Sequence, residues 1–400
     1  MEHNRPERKE NILCISNYKW GGMTGLSSSL MREMARYHKV LYFEPPMPYM
    51  PIGQNFRWHN LTSWRQGIEM INDNLMICKT PPVLPGKRIL RSVNRQAQRK
   101  LAGYIIDVMN SLHFEKPILI TFCPHSADLL KYLGYELALY FCGDEVLGGK
   151  YKRKRTILGI EEELLKKVDC TVVVSKELYK RKKDSCRELF IITNGTDHNH
   201  FCVAGKEVDP PLEMDSIKKP IAGFLGAVDH RINIEFIRKA SEELKDWSFV
   251  LVGPVYKNRN QLLKLNNVYL LGQKNYEQLP RFLSQFDVCT IPYILDDMTI
   301  NCFPIKLYEY FSSGKPVVAS NLPALEEHAG LVYIANCADD FPREILRAYD
   351  ESNDKRKKRI MIAERNSWEH KAEGLEYILQ YLRSKQPLNS GPPDANLKRN

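Results

Sequence analysis

No stretch of the sequence approaches the about 18 consecutive apolar residues that span a bilayer. The longest apolar runs, such as 117–123, are strand-sized. Residues 1–10 are polar and charged and lack the apolar centre of a signal peptide. A protein made and kept in the cytosol is therefore expected. The ten cysteines include no C-x-x-C pair, which argues against a zinc or disulfide framework. Cys14, Cys123, Cys142, Cys170 and Cys289 fall inside apolar runs, where a free thiol behaves as a small hydrophobe. His198, His200 and Cys202 form the nearest metal-like cluster, but they sit in a turn-rich segment and are read as structural. No Asp-x-Asp triplet occurs; Asp296-Asp297 and Asp339-Asp340 are adjacent pairs. No G-x-G-x-x-G occurs either, because Gly21, Gly22 and Gly25 have a different spacing.

What is present is a globular composition. The hydrophobic content of 43% and charged content of 26% exclude disorder and collagen-like structure for most of the chain. At roughly 150 residues per domain, 400 residues suggest two or three domains. Lys and Arg number 58 against 48 Asp and Glu, a formal charge of +10. That surplus favours anionic partners: phosphates, nucleic acid or an acidic membrane surface. No zinc, RNP or helix-turn-helix signature supports nucleic acid, which is not expected as a partner.

Apolar strand-like runs alternate with helical patterns. Strands are predicted at 11–16, 40–43, 118–123, 137–142, 170–175 and 189–193, with helices at 25–37, 161–168 and 177–182. The second half restarts the pattern: strand 221–225, a glycine turn, helix 233–245, strand 248–252. Strand–helix alternation implies an α/β fold with parallel, doubly wound sheets, here two Rossmann-like domains in tandem. The boundary is expected in the polar stretch 203–219. The predicted domains are 1–205 for the acceptor and 215–365 for the donor. A helix over 366–385 would pack back on the first, and 386–400 would be a disordered tail.

The most specific stretch is 287–320. It reads strand 288–292, loop 293–303, helix 304–312, Gly314, strand 316–320. Pro304 suits the first helical turn and Gly314 the position after the last. Such a loop lies beyond the carboxyl ends of the strands, where α/β sheets bind ligands. The helix start offers N–H groups to a phosphate. Lys306 and Glu309, three apart, share a face. A cation near a diphosphate and a carboxylate near ribose hydroxyls would grip a nucleotide diphosphate; a surface Lys–Glu pair is the plainer alternative.

Residues 304–320 resemble the donor-binding segment of GT-B glycosyltransferases of group 1. Other pieces match in order: residues 171–175, Asn194-Gly195-Thr196-Asp197 with Phe201, residues 223–226, and Ser367-Trp368-Glu369. The Asn194–Phe201 match accounts for His198 and His200 without a metal. The turn 20–25 and Tyr140–Asp144 point to a subset active in teichuronic-acid biosynthesis. The resemblance implies a nucleotide sugar as substrate, UDP being the commonest base, and the nucleotide ribose on Glu309. Many retaining members carry a second glutamate at the position of Asn301, which here can hydrogen-bond a sugar but bears no charge.

Transfer from a nucleotide sugar leaves a diphosphate whose charge must be met. With no Asp-x-Asp, no metal and no cofactor are expected. Lys306 and Arg231, beyond the Gly226 turn, are the candidate cations. An ordinary surface arginine is the alternative reading of Arg231. An inverting enzyme needs a general base. Asp144, after strand 137–142, is the first candidate, with a turn cap as its alternative. His125, after strand 118–123, is the second. The Gly21, Gly22, Gly25 loop would reach toward acceptor and donor phosphate, as its family equivalent does. Residues 87–104 pattern as a basic amphipathic helix carrying Lys87, Arg88, Arg91, Arg95, Arg99 and Lys100. This suggests docking on anionic lipid, a peripheral place on the inner membrane face and a lipid-linked glycan acceptor in cell-wall polysaccharide synthesis. Two alternatives stay open. One is an NAD-dependent oxidoreductase with Glu44 as its ribose acid. The other is a transferase-like protein without activity, suggested by Asn301.

Overall fold

A parallel strand covered on both faces must be apolar on both, so it reads as an unbroken hydrophobic run. Leu137–Cys142 and Ile221–Leu225 are of this kind, and every residue in both is buried. The computed structural model describes residues 9–21, 25–46, 67–82, 90–143, 154–206 and 208–385. Its strands form two sheets.

The first sheet contains β1 (Asn11–Ile15), β2 (Lys39–Phe43), β3 (Ile68–Asn72), β4 (Leu75–Cys78), β5 (Ile118–Thr121), β6 (Leu137–Cys142), β7 (Cys170–Val173) and β8 (Leu189–Ile191). Their order is β3-β4-β2-β1-β5-β6-β7-β8, parallel except for the β3–β4 hairpin. The second contains β9 (Ile221–Leu225), β10 (Ser248–Val252), β11 (Val268–Gly272), β12 (Val288–Ile291), β13 (Val317–Ser320) and β14 (Val332–Ala335). Their order is β11-β10-β9-β12-β13-β14, all parallel. In each sheet the order reverses beside the first strand, between β1 and β5 and between β9 and β12. Those two switch points are where open α/β sheets leave a crevice for ligands.

Several elements differ from expectation. The hairpin β3–β4 and strands β11 and β14 were not predicted. The helix expected at 161–168 begins at Lys154, and the donor-side helix runs Lys306–Ser312, so Pro304 precedes it. The basic helix is Arg91–Ser111. Its residues Ala97, Leu101 and Ile105 are buried, and Leu101 and Ile105 belong to the first core. Its apolar stripe therefore faces protein rather than lipid. Arg91 also turns inward, pairing with the buried Asp128. Lys87 and Arg88 lie outside the described residues.

The two cores meet where the chain crosses between them. Thr196 pairs with Ser367, Thr196 N–H donates to the Asn366 carbonyl (3.0 Å), and Trp368 N–H donates to the Thr196 carbonyl (3.0 Å). Phe201 and Ala204 are already in the second core, so the outward crossing precedes the 203–219 stretch expected from composition. The helix Trp368–Lys385 returns to the first core through Trp368, Ala372, Leu375, Ile378, Leu379 and Leu382. Beside the crossing, Lys371 Nζ donates to Thr193 Oγ1 (2.8 Å) and Asn366 Oδ1 (2.6 Å). Burial pushes the Lys371 pKa down from 10.5 to about 8, against the pull of Glu327.

Two outcomes follow. A Cβ at Gly195 would lie 2.8 Å from Trp368 Cε3, so Gly195→Ala forces the crossing strands apart. It should lower unfolding free energy by about 1–3 kcal/mol in urea titrations; an unchanged midpoint would show that Trp368 does not press there. Between pH 8 and 10.5 the unfolded chain keeps the Lys371 proton that the folded chain has released. Stability contributed by this group therefore rises with pH across that window, by up to about 1.4 kcal/mol per unit, and is flat below it. Lys371→Met should remove this rise, measured as the difference between wild-type and variant urea curves at pH 7.5 and 10.

Candidate functional site

The switch point of the second sheet is built from three segments. β9 ends at Leu225 and turns through Gly226, and β12 ends at Ile291 and leads into residues 292–305. The helix Lys306–Ser312 is the third. It is tied over the end of β9, because Leu225 N–H donates to the hydroxyl of the fully buried Tyr310 (2.9 Å).

That tie aims the Lys306–Glu309 face at the Gly226 turn. Lys306 Nζ lies 2.8 Å from Glu309 Oε2, with side-chain exposures of 18% and 5%. Gly226 has φ +150°, and a Cβ there would stand 2.9 Å from the Phe224 ring and 3.3 Å from Lys306 Cε. Only glycine lets the lysine lie across this turn. Of the N–H groups expected to greet a phosphate, that of Leu307 is already spent. Leu307 N–H donates to the Pro304 carbonyl, and Glu309 N–H faces the Ile305 carbonyl.

Arg231 approaches from the loop after β9. Its guanidinium forks onto Asp229, with Nε–Oδ1 at 3.1 Å and Nη2–Oδ2 at 2.9 Å. Burial alone would depress its pKa, but the Asp229 hydrogen bonds and charge outweigh that and raise it. The same contact holds Asp229 below the usual carboxylate range, against its own desolvation. Arg231 also lies 5.8 Å from the Tyr293 ring centre, and Ile294 N–H donates to the Arg231 carbonyl (2.7 Å). Tyr293 is 6% exposed, and its hydroxyl is pushed up by burial while sensing both Arg231 and Glu309. Asp229 and Tyr293 thus join the site without having been anticipated. The Asp-x-Arg spacing held a signal for the first: Arg231 N–H donates to Asp229 Oδ1 (2.9 Å), a local turn.

Asn301 is fully buried. Its Nδ2 donates to the Asp297 carbonyl (2.6 Å), while Oδ1 has no hydrogen-bond partner. Its carbonyl accepts from Ser175 Oγ of the first domain (2.7 Å). Ile305 packs against the first core. The approach to the donor helix therefore lies against both domains.

On the acceptor side, Gly21 has φ +72° and Gly25 caps the helix Leu26–Met34 in an extended conformation. Ser28 Oγ donates to the Gly25 carbonyl (3.0 Å) and accepts from its N–H (3.3 Å). Gly22 and Asp144 lie outside the described residues. His125 follows β5, is 7% exposed, and its carbonyl accepts from Asn94 Nδ2 (3.1 Å). Glu44, the acid required by a dinucleotide reading, accepts the Trp20 N–H (2.9 Å). It pins the loop. The structure thus gathers Gly226, Arg231, Asn301, Lys306 and Glu309 around one switch point and leaves His125, Gly21 and Gly25 on the other sheet.

His198 Nδ1 meets Ser312 Oγ at 3.3 Å, and His200 stacks on Tyr276 with Nε2 2.9 Å from its carbonyl. Among the described residues no three His, Cys, Asp or Glu side chains are set to hold a metal ion. Among the same residues no helix is long and apolar enough to cross a membrane.

Residues 219–351 match the family described as Glycosyl transferases group 1. TuaH of Bacillus subtilis (strain 168), named as a teichuronic acid biosynthesis glycosyltransferase, is 26% identical over 207 residues. That alignment covers 50% of this chain and 52% of TuaH, so the chain spans about half the length of the curated relative it matches. Sucrose-phosphate synthase from Thermosynechococcus elongatus superposes with a TM-score of 0.70 at 17% identity, covering 95% of this chain and 100% of that one. An alpha,alpha-trehalose-phosphate synthase (UDP-forming) from Burkholderia xenovorans, in complex with glucose-6-phosphate, gives 0.68 at 11% identity, over 93% and 100%. At such identities the likeness is one of fold. Residues 219–351 are thus similar to the group 1 glycosyl transferases, and the chain as a whole has the GT-B fold.

Proposed function

We propose that the chain transfers a sugar from a nucleotide-diphosphate sugar, UDP being the first base to test, to a hydroxyl acceptor. The observation that carries this is the Lys306–Glu309 pair, nearly desolvated and laid across the Gly226 turn at a strand switch point. As the glycosidic bond to the diphosphate breaks, charge develops on the leaving oxygen. Lys306 and Arg231 are the cations assigned to it. Glu309 accepts from the ribose hydroxyls, and Gly226 gives the phosphates close access to backbone. This arrangement works without a metal or cofactor.

Asn301 offers its unpaired Oδ1 as a neutral acceptor to a donor-sugar hydroxyl. Its lack of charge also supports a second reading, a protein that binds the nucleotide sugar without turning it over. Asp144 and His125 remain the proposed candidates for the acceptor's general base. The TuaH relative supports a lipid-linked glycan acceptor in surface polysaccharide synthesis. The exposed Arg95, Arg99 and Lys100 on the helix Arg91–Ser111 support electrostatic rather than insertive docking on an anionic cytoplasmic leaflet.

A nucleotide-release assay across UDP-, GDP-, ADP- and dTDP-sugars tests the activity. Glu309→Gln keeps the shape of the pair but loses its charge, and kcat/KM should fall about a hundredfold, the worth of charge-assisted bonds to two hydroxyls. Turnover unaffected by Glu309→Gln would place the donor elsewhere. Stabilisation against heating by NAD, and by none of the nucleoside diphosphates, would favour the oxidoreductase. Co-sedimentation with anionic vesicles at low salt tests the membrane assignment, and no binding there would remove it.

A further inference from the structure

Residues 301–305, which deliver the chain to the donor helix, are anchored from the first domain. Ser175 stands two residues beyond β7 and Asn194 three beyond β8, both at carboxyl ends of first-sheet strands. Ser175 Oγ donates to the Asn301 carbonyl at 2.7 Å, and Asn194 Nδ2 donates to the Phe303 carbonyl at 2.8 Å. Both acceptor residues are buried, at 0% and 4% exposure, so neither carbonyl can turn to bulk water if its partner is removed. Past them, Pro304 and Ile305 give their carbonyls to the helix that carries Lys306 and Glu309.

The same seam has further stitches. Lys176 pairs with Glu327 at 2.5 Å, an exposed contact worth little by itself. Tyr308, on the donor helix, lies under Lys371 of the returning helix, with Nζ 5.8 Å from the ring centre. Lys371 in turn holds Thr193, the neighbour of Asn194. Segment 301–308 is thus fixed at both ends by groups of the first domain and its returning helix.

We propose that Asn194 and Ser175 are positioning residues of the donor site, fixing the Phe303 and Asn301 carbonyls across the seam and thereby aiming Lys306 and Glu309. The donor grip is complete only while the first domain is docked on this segment. The inference rests on the nucleotide-sugar reading of the site.

Calorimetric titration of the full chain with UDP, GDP, ADP and dTDP tests it. Asn194→Ala should weaken the nucleotide that the wild type binds by about tenfold, the worth of one buried hydrogen bond. Ser175→Ala should do likewise. Ser175→Thr keeps both the hydroxyl donor and the cap that Ser175 provides to Leu178 N–H, and should bind as wild type. Adding Asn194→Ala to Glu309→Gln should cost less than the sum of the two, because both act through one segment. A residue serving only stability would lower the unfolding temperature and leave the dissociation constant alone. Wild-type affinity in both alanine variants, or additive losses in the double variant, overturns the positioning role. No binding of any of the four nucleotides by the wild type overturns the donor reading beneath it. Should Asn194→Ala fail to fold, the Ser175→Ala and Ser175→Thr pair decides.

Discussion

The chain passes between its two cores at one place, and the two passing strands are hydrogen-bonded to each other. Thr196 and Ser367 pair there, with Trp368 packed where Gly195 has no side chain. This fixes more than a hinge. One strand leaves the first sheet after β8, and the other enters the returning helix, so the first core is completed by residues from the far end of the chain. The carboxyl ends of β7 and β8 then come against the loop that follows β12, and Ser175 and Asn194 reach its carbonyls. Without the paired crossing, the two switch points would belong to separate bodies.

How much of this was legible depends on where the determining contacts lie. Leu137–Cys142 and Ile221–Leu225 could be read residue for residue, because burial on both faces writes an unbroken apolar run. β3 could not, since all five of its residues are exposed and among the described residues it pairs only with its hairpin partner β4. β4 and β14 have four residues each, no fewer than β5, β7, β12 and β13, so length alone does not account for missing them. The donor helix was visible, but its start was not. Pro304 favours a first helical turn by sequence, whereas the turn it accepts from Leu307 places the helix two residues later. Lys306 and Glu309 were legible as a pair because helical spacing is local. Tyr293 beside Arg231 was not, because that neighbourhood depends on β9 lying next to β12, which is a property of sheet order. Ser175 and Asn194 escaped for the same reason at longer range. They belonged to recognisable segments, but their acceptors lie more than a hundred positions away.

The net charge illustrates the same limit. A surplus of +10 suggests a broadly cationic surface. Cation–carboxylate pairs within the molecule leave that surplus unchanged, but they withdraw particular arginines and lysines from any ligand. Arg359 is fully buried against Glu351 and also serves the Leu331 carbonyl. Lys182 and Glu161 form a buried pair that the Tyr140 hydroxyl completes. Arg383 joins Glu10 to Glu136. Arg359 ties its helix to the residues just before that helix and before β14, Lys182 ties helix to helix, and Arg383 ties the returning helix to the residues just before β1 and β6. Such pairs are retained because removing one partner strands the other in a poor solvent, not because the pair is strongly stabilising.

At the proposed donor site the same electrostatics have a different use. Lys306 and Glu309 are about as desolvated as the structural pairs, but they stand at the rim of a crevice and not within a core. A lysine ammonium has three donors, and the Glu309 contact occupies one. A carboxylate accepts at two oxygens, and only Oε2 faces the lysine. Each partner therefore keeps unspent capacity complementary to a nucleotide diphosphate: donors for phosphate oxygens, acceptors for ribose hydroxyls. The pair also holds the lysine in place before a ligand arrives, so little reorganisation remains at the moment of binding. Arg231 has the same economy, one face of its guanidinium locked on Asp229 and its plane set against Tyr293. Preformed pairing at a strand switch point separates these cations from the many others in the chain.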